Sequence, residues 1–403
     1  MRVLHLTTSF SGGAGIAARR ICAAQKINGI NSTIIGMQGS NGAFLNGNEI
    51  VFNRNFKNKL MSTIVTGIQQ KIFQNNNELI TPISLSTLKI SDSFYKEFDL
   101  IHIHAFYNLL SMKQISHMAT RIPVVITMHD QRFFTGGCHY SFECHGFKNT
   151  CSGCPQATFP FRFTTKLSLQ KSISFLKNSE DITYITPSQW LADCAVGSIL
   201  LRDDKINVIA NPIPDVYSKL SGHRSKDSRL KIGFFSHNLN NPYKGLETLI
   251  SAAKILKNDL PIELKLYGHG ELPQDMDDLV YSQMYFNDDD SAVKAYNSCD
   301  VVVVPSTQDN SPSVITEALM CGVPVISTNI GGIREILHRF SLPTIEPQNP
   351  NLLADTILDF SKNGTNYDLS GNARKIYSYK SSSLSHIEIY KNSLLKFKKN
   401  SIH

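Results

Sequence analysis

The 403-residue sequence lacks any long, uninterrupted apolar run. None of its apolar segments approaches the ~20 residues that a membrane-crossing helix needs. The N-terminal segment MRVLHLTTSF turns polar after six residues, which is too short for the apolar part of a secretion signal. We therefore interpret this segment as a first buried strand and expect a cytoplasmic protein.

A strong charge of either sign is also lacking, since 40 basic and 33 acidic residues leave a net charge of +7. Such an excess identifies no partner by itself. Basic residues are nevertheless concentrated between Pro160 and Ser179, where no acidic residue occurs, and in the C-terminal tail: Arg162, Lys166, Lys171, Lys177, Lys391, Lys396, Lys398 and Lys399. A solvated face and a surface that faces an anionic membrane leaflet both explain these runs.

Eight cysteines in a cytoplasmic chain argue against a disulfide framework. Four of them are scattered among apolar neighbours and are expected to be small core residues: Cys22, Cys194, Cys299 and Cys321. The other four are clustered and end in a Cys-x-x-Cys pair: Cys138, Cys144, Cys151 and Cys154. This cluster fits either a structural zinc site or buried thiols. Zinc would order the loop of residues 130–160, which otherwise lacks a core.

Short β-branched runs alternate with longer helical ones, a pattern typical of parallel sheets covered by helices. Strands are predicted at residues 3–6, 33–36, 100–104, 124–127, 183–186, 207–209, 231–235, 263–267, 284–286, 300–304 and 324–327. Helices are predicted between them, for example at residues 16–27, 246–256, 291–298 and 313–320.

Two prolines, Pro212 and Pro214, and the polar residues 218–229 interrupt this pattern. The sequence therefore predicts an α/β fold of two Rossmann-like domains, residues 1–212 and 213–382, that face each other across a cleft. A final helix, residues 383–403, is expected to pack back on the first domain. Sheets of this kind bind ligands at the carboxyl ends of their strands.

The segment from Val301 to Pro324 contains the features that point to a ligand. An apolar strand leads through a polar loop into a helix that begins near Ser313, and a helix N-terminus favours an anion. Asp309 in the loop and Glu317 in the second turn could accept hydrogen bonds from the hydroxyls of a sugar and a ribose. A helix with incidental acids is the alternative interpretation.

In the first half, Gly12 and Gly13 join a strand to a helix without the dinucleotide-binding GxGxxG spacing, so a tight turn and a phosphate loop are equally open. His102 and His104 share one face of a strand. We expect His104 to reach the end of the sheet and His102 to lie in the core. His129 ends another strand and is the favoured site residue of this half.

Taken together, Asp309, Glu317 with seven residues between them, and the following Gly322-Val323-Pro324 resemble the acid-x7-Glu motif of the family 4 (group 1) retaining glycosyltransferases of GT-B fold. Tyr243-Lys244-Gly245 is similar to the family's Lys-Gly, and Tyr267-Gly268-His269-Gly270 to its glycine-rich turn. Residues 135–140 and the Cys-x-x-Cys-Pro ending resemble the exopolysaccharide and O-antigen branch. The chain departs from the family by having Asp rather than Glu at 309 and residues 236–239, Ser-His-Asn-Leu, in place of an arginine.

The resemblance implies a role for each matching residue. Glu317 would hold the donor ribose, Lys244 would neutralise the departing diphosphate, and His129 would contact the transferred sugar. Asp309 would contact the sugar with the loop and helix start beside it: Asn310, Ser311, Ser313 and Val314. The glycines would border the nucleotide and the diphosphate: Gly12, Gly13, Gly268 and Gly270.

The resemblance also implies the reaction, which is the retaining transfer of a hexose from a UDP- or GDP-type donor without a catalytic metal or other cofactor. The implied acceptor is a polyprenyl-diphosphate-linked saccharide of exopolysaccharide or lipopolysaccharide assembly, at the inner face of the plasma membrane. A GT-B epimerase or phosphorylase is the alternative enzyme. A zinc-containing nucleic-acid-binding protein is disfavoured because it leaves Asp309 and Glu317 unexplained, so no nucleic-acid partner is expected.

Overall fold

The computed structural model describes residues 1–37, 49–52, 61, 63–69, 73, 80–177, 179, 181–218, 229–274, 276–364 and 368–400. The chain divides into two compact units. The first contains residues 1–210 and 382–403, and the second contains residues 211–381. Most of the polar run at residues 218–229 lies outside the described residues.

The first unit contains a parallel sheet of seven strands in the order β3-β2-β1-β4-β5-β6-β7. Its strands are β1 (Arg2–Ser9), β2 (Asn31–Met37), β3 (Glu49–Phe52), β4 (Leu100–Ile103), β5 (Val124–Thr127), β6 (Ile182–Thr186) and β7 (Ile206–Val208). All residues of β4 and β5 are buried, as expected for central strands with both faces covered.

The helices of the first unit follow the strands in alternation. They are α1 (Gly12–Ile27), α2 (Asp92–Tyr95), α3 (Met112–Ala119), α4 (Phe163–Leu176) and α5 (Gln189–Val196). Local sequence sets their starts, since Ser111 and Ser188 each accept a hydrogen bond from a backbone N–H of the first turn of α3 and α5.

The second unit contains a parallel sheet of six strands in the order β10-β9-β8-β11-β12-β13. Its strands are β8 (Leu230–Asn238), β9 (Ile262–His269), β10 (Tyr281–Met284), β11 (Val301–Val304), β12 (Val325–Thr328) and β13 (Thr344–Ile345). Its helices are α6 (Leu246–Leu256), α7 (Asp289–Asn297), α8 (Ser313–Met320), α9 (Ile333–Arg339), α10 (Pro350–Asn363) and α11 (Leu369–Tyr377).

The last helix, α12 (Tyr379–Asn400), belongs to the first unit from Ser382 onward. Its residue Tyr390 is fully buried and packs with Val3, Leu100 and Val125 of the first sheet. None of the helices in the described part of the chain combines the length and the apolar composition that a membrane crossing needs.

The two Rossmann-like parallel sheets confirm the predicted fold class. The strand predicted at residues 284–286 is misplaced, because pairing with β9 ends at Met284 and the observed strand is Tyr281–Met284. The sequence analysis missed β3 and β13, which are short outermost strands of four and two residues. Strands this short present too few alternating positions for a period of two to be recognised.

Candidate functional site

In the second sheet, β8 lies between β9 and β11. The chain runs outward from β8 through β9 to β10, and it then returns to the other side of β8 as β11. The three strands are parallel, so the loops that follow them meet at one edge, where open α/β sheets bind ligands. The predicted residues fall on these loops: Lys244 follows β8, Gly268 and Gly270 lie at the end of β9, and Asp309 follows β11. Topology thus gathers residues that are up to 65 positions apart in the chain.

Lys244 and Asp309 form an ion pair at this edge, with 2.6 Å between Nζ and Oδ2. The Asp309 side chain is 7% exposed and that of Lys244 is 31% exposed, so the amine keeps access to solvent while its partner is buried. The backbone N–H of Thr307 donates to the carbonyl of Tyr243 at 2.9 Å, which ties the two loops together.

Gly245 permits this close approach of the two loops. Its φ is +76°, a left-handed conformation that L side chains rarely adopt, and a Cβ there would collide with the carbonyl oxygen of Pro305. The glycine of the Lys-Gly pair is therefore required by packing against the loop that carries Asp309.

The loop after β11 presents the start of α8 to the same edge. Asn310 is buried, and its N–H donates to Oδ1 of Asp309 at 3.0 Å. Pro312 precedes the helix and offers no side-chain cap, and the first turn contains no acidic residue. Ser311, Ser313 and Val314 are half-buried there. The positive end of the helix is thus available to favour an anion such as a phosphate.

Glu317 is buried, at 6% exposure, and receives a hydrogen bond of 2.6 Å from the hydroxyl of Tyr296. Burial, and then the neighbouring carboxylate, raise the pKa of Tyr296 well above its ordinary value. Tyr296 therefore remains a donor that orients Glu317. The ring of Tyr296 in turn stacks on Phe235 at 4.1 Å between centroids.

The sequence analysis missed this role of Tyr296, because the two residues lie 21 positions apart on different helices. Their contact joins α7 to α8, which precede and follow β11 in the chain. Asp288 accepts from the backbone N–H of Ser291 and caps the N-terminus of α7.

The turn after β9 is built from glycines that a side chain could not replace. Gly268 and Gly270 have φ values of +153° and +125°, and a Cβ at either position would strike Ser236 or Asn240. The amide of Gln283 donates to both glycine carbonyls, at 3.2 and 2.9 Å. This turn is therefore fixed in shape before any ligand binds.

In the first unit, the order of strands reverses between β1 and β4, and the predicted residues again follow neighbouring strands. Gly12 and Gly13 follow β1, His104 follows β4 and His129 follows β5. A Cβ on Gly12 or Gly13 would meet no described atom within 4 Å, so the space beside them is open. Gly15 differs, because a Cβ there would strike the carbonyl of Ser9.

His104 and His129 are in contact, with 3.1 Å between Nδ1 and Nε2. Both line a cavity of about 20 Å³ together with Tyr107, Asp130 and Arg132. Burial lowers the pKa of His129 to about 4, so its imidazole is neutral at physiological pH. His102 lies in the core as expected, and His104 reaches the sheet edge although it is also buried.

Beside His129, the Asp130 carboxylate binds the side chain of His139 and the backbone of Arg132, contacts that the sequence analysis did not identify. Asp130 accepts from Nδ1 of His139 at 2.7 Å and from the N–H of Arg132 at 2.8 Å. Burial alone would raise the pKa of Asp130, but His139 and these hydrogen bonds lower it on balance. The only signal in the sequence is the polar character of Asp130 and His139 at the two ends of a loop.

The four clustered cysteines are neighbours in the structure, since Cys144, Cys151 and Cys154 all contribute to raising the pKa of Cys138. The thiol of Cys138 donates to the sulfur of Cys154, which raises the pKa of Cys138 and lowers that of Cys154 to about 6. Cys144 lies against Gly146, whose neighbour on the other side is Cys151. A tetrahedral zinc site needs sulfur atoms about 3.8 Å apart. No three of these thiols, all within the described residues, lie within 4.8 Å of one another, so a zinc site there stays a prediction.

The match to a protein-family model lies within the second unit. Residues 229–363 match the family model described as glycosyl transferases group 1. A colanic acid biosynthesis glycosyl transferase named WcaC, from Escherichia coli (strain K12), is 23% identical over 299 residues, which are 69% of each chain. A glycosyltransferase of Methanocaldococcus jannaschii, MJ1607, is 25% identical over 277 residues, which are 64% of this chain and 65% of that protein.

Solved structures extend the likeness of fold to nearly the whole chain. Sucrose-phosphate synthase from Thermosynechococcus elongatus superposes with a TM-score of 0.67 at 14% identity and covers 97% of this chain and 98% of its own. Anabaena Alr3699/HepE, crystallised in complex with UDP, gives a TM-score of 0.61 at 17% identity and covers 97% and 100% of the two chains. At such identities the structures show the fold alone.

Proposed function

We propose that this chain, whose residues 229–363 match the group 1 glycosyltransferases, transfers a hexose, with retention of configuration, from a nucleotide-diphosphate sugar to a saccharide acceptor. The observation that carries this proposal is the 2.6 Å ion pair between Lys244 and Asp309 beside the start of α8. The site thereby combines a cation, a helix N-terminus and acids that suit hydroxyls, which are the three kinds of group that a sugar diphosphate requires.

In this reaction the bond between the sugar and the diphosphate breaks, and negative charge develops on the departing diphosphate. Lys244 and the amides at the start of α8, near Ser313 and Val314, stabilise that charge. Asp309 holds the lysine amine at the site and contacts a sugar hydroxyl. Glu317, oriented by Tyr296, accepts hydrogen bonds from the ribose.

The donor is proposed to be of UDP or GDP type, with Gly268 and Gly270 bordering the nucleotide. A complex with UDP is known for a structural neighbour, Alr3699/HepE, which supports a uridine nucleotide as the first to test. In the first unit, His129 is proposed to contact the transferred sugar, with Gly12 and Gly13 near the diphosphate.

The acceptor is proposed to be a polyprenyl-diphosphate-linked saccharide of surface polysaccharide assembly. The name of the WcaC relative, which refers to colanic acid biosynthesis, supports this class. The surface of residues 159–177, which include α4, supports a peripheral contact with an anionic leaflet, because basic side chains there alternate with exposed apolar ones. The apolar residues are Phe159, Phe161, Phe163, Leu167 and Phe175, with exposures between 38% and 88%.

The proposal is tested by incubating the full-length protein with UDP-, GDP- and ADP-sugars and a polyprenyl-diphosphate-linked acceptor. We expect release of one nucleoside diphosphate that depends on the acceptor. Consumption of the nucleotide sugar without acceptor would identify an epimerase instead. Absence of binding and release for every donor, together with tight binding to nucleic acid, would contradict the proposal.

Two variants localise the donor site. Lys244→Met should lower the rate of diphosphate release by about 100-fold, since a preorganised cation is lost. Lys257→Met is the matched control, because Lys257 is also paired with an aspartate, Asp278 at 2.9 Å, and is similarly exposed at 35%. Glu317→Gln should weaken donor binding by about tenfold. Wild-type kinetics in both Lys244→Met and Glu317→Gln would remove these residues from the site.

A further inference from the structure

Five histidine side chains lie close together inside the first unit. His5, His102, His104 and His386 are at most 4% exposed, and His129 is half-buried. The ring centroids of His102 and His104 are 4.1 Å apart, and those of His104 and His129 are 5.4 Å apart. The transfer reaction as proposed uses only His129, so the other four require an explanation.

Three of these imidazoles are joined in series by hydrogen bonds that begin at His129. Nε2 of His129 lies 3.1 Å from Nδ1 of His104, and Nε2 of His104 lies 3.0 Å from Nδ1 of His5. Nε2 of His5 lies 2.9 Å from Oε1 of Gln25. The amide of Gln25 donates to the hydroxyl of Tyr390, in α12, at 2.5 Å.

The series continues beyond Tyr390. Its hydroxyl lies 2.6 Å from Nδ1 of His102, whose Nε2 lies 2.7 Å from the hydroxyl of Thr127. The chain of hydrogen bonds therefore starts and ends near β5, with Gln25 and Tyr390 in its middle.

The four imidazoles of this hydrogen-bond series are neutral at physiological pH. Burial lowers the pKa of His5 to about 3 and that of His129 to about 4, and it lowers the pKa values of His102 and His104 well below the ordinary value. A neutral imidazole has one nitrogen that donates and one that accepts. If one nitrogen of a ring donates, the other must accept. The donor and acceptor roles in one hydrogen bond therefore determine those in the next.

The carboxamide of Gln25 sets that direction. Its oxygen only accepts, so Nε2 of His5 donates to it, and the hydroxyl of Ser32 donates to it as well at 2.8 Å. Nδ1 of His5 must then accept from Nε2 of His104. By the same rule, Nδ1 of His104 accepts from Nε2 of His129. A half-turn of the Gln25 amide would reverse all of these links together.

We propose that Gln25 and Tyr390 are positioning residues which, through His5 and His104, hold His129 as the tautomer that carries its proton on Nε2. Tyr390 contributes by binding the amide nitrogen of Gln25, which keeps the amide oxygen toward His5 and Ser32. The consequence for catalysis rests on the proposed function. Nδ1 of His129 is then the unprotonated nitrogen, which accepts a hydrogen bond and cannot donate one.

A metal ion is the competing explanation for the same residues. Nitrogen atoms of His5, His102 and His104 lie within 4.8 Å of one another, which suits metal ligands. All three rings, however, already use both nitrogens in hydrogen bonds to protein groups. A metal would break the link between His5 and His104, so the hydrogen-bond chain is favoured.

The test uses full-length protein labelled with ¹⁵N in its histidine rings, because the ¹⁵N shift shows which ring nitrogen carries the proton. The spectrum of His129→Gln identifies the signals of His129 by their loss. In the wild type we expect a single tautomer of His129, protonated on Nε2. In Gln25→Met no amide oxygen sets the direction of the hydrogen bonds. We therefore expect signals of both His129 tautomers.

Two further variants distinguish an effect on the direction of the hydrogen bonds from a general effect on the structure. Gln25→Glu supplies oxygens that only accept, so His129 should keep its proton on Nε2. Tyr390→Phe removes only the hydroxyl that binds the amide nitrogen of Gln25, so the amide is free to turn. The Nδ1-protonated tautomer of His129 should then appear. Tyr184→Phe is the matched control, since Tyr184 is a buried tyrosine of the same sheet whose hydroxyl is outside the chain.

If the proposed function holds, Tyr390→Phe should lower the transfer rate about tenfold and leave donor affinity unchanged. An unchanged His129 tautomer in both Gln25→Met and Tyr390→Phe would overturn the inference whatever the activity. Stoichiometric metal bound to His5 and His104 in the purified protein would also overturn it. Failure of the wild type to transfer any sugar would count against the proposed function alone, because the spectra decide the tautomer independently.

Discussion

His386 provides the sharpest test of whether the buried histidines make the folded protein less stable at low pH. It lies in α12, is 1% exposed, and its Nε2 has no hydrogen-bond partner among the described residues. Nδ1 lies 2.8 Å from the carbonyl oxygen of Ser382. Burial lowers the pKa of His386 to about 4 from its ordinary value of 6.5.

The sign of the effect follows from where the proton binds. The unfolded chain takes up a proton at His386 below pH 6.5, whereas the folded protein does so only below about pH 4. The stability associated with the neutral ring is therefore fully present above pH 6.5 and is lost as the pH falls below it. Between pH 7 and pH 5 this one residue should lower the free energy of unfolding by about 2 kcal/mol.

We therefore compare the wild type with His386→Gln, which cannot take up a proton. Urea unfolding of each protein is measured at pH 7 and at pH 5. Trp190, the single tryptophan, packs against the core of the first unit, so its fluorescence reports on the unit that contains His386. The other buried histidines are present in both proteins, and their contribution cancels in the comparison.

The decrease in stability from pH 7 to pH 5 should be smaller in His386→Gln by about 2 kcal/mol, or about 1 M urea in the shift of the midpoint. His117→Gln is the control. Its side chain is exposed, and this variant should retain the pH dependence of the wild type. Equal pH dependence in the wild type and His386→Gln would refute the neutral, buried state of this ring.

Two further outcomes test features of the fold that bear on the site. Gly245→Ala should destabilise the second unit by at least ~2 kcal/mol, because φ is +76° and a Cβ would strike the carbonyl of Pro305; thermal unfolding measures this, and an unchanged midpoint would contradict it. The double variant Phe163→Ser/Leu167→Ser should bind anionic vesicles at least about tenfold more weakly in a flotation assay, since two exposed apolar side chains are lost. Equal flotation of the variant and the wild type, or no flotation of either, would rule out α4 as the membrane contact.

The sequence alone determined the fold class, which the two parallel sheets confirm. Strands and helices alternate with clear periods, and α6 and α8 begin and end where the residues predicted. The family resemblance implied that Lys244 and Asp309 act on one donor, and the carboxyl ends of parallel strands meet at one edge of a sheet. The 2.6 Å ion pair between them agrees with that expectation.

Local pattern could not determine contacts between residues that are far apart in the chain. Tyr296 of α7 meets Glu317 of α8 across 21 positions, and Tyr390 meets Gln25 across 365 positions because α12 packs on the first sheet. The zinc site was predicted from spacing alone, and no three of the four described thiols lie within 4.8 Å of one another. Periodicity thus determines which residues share a face, whereas the packing of distant elements decides which of those residues touch.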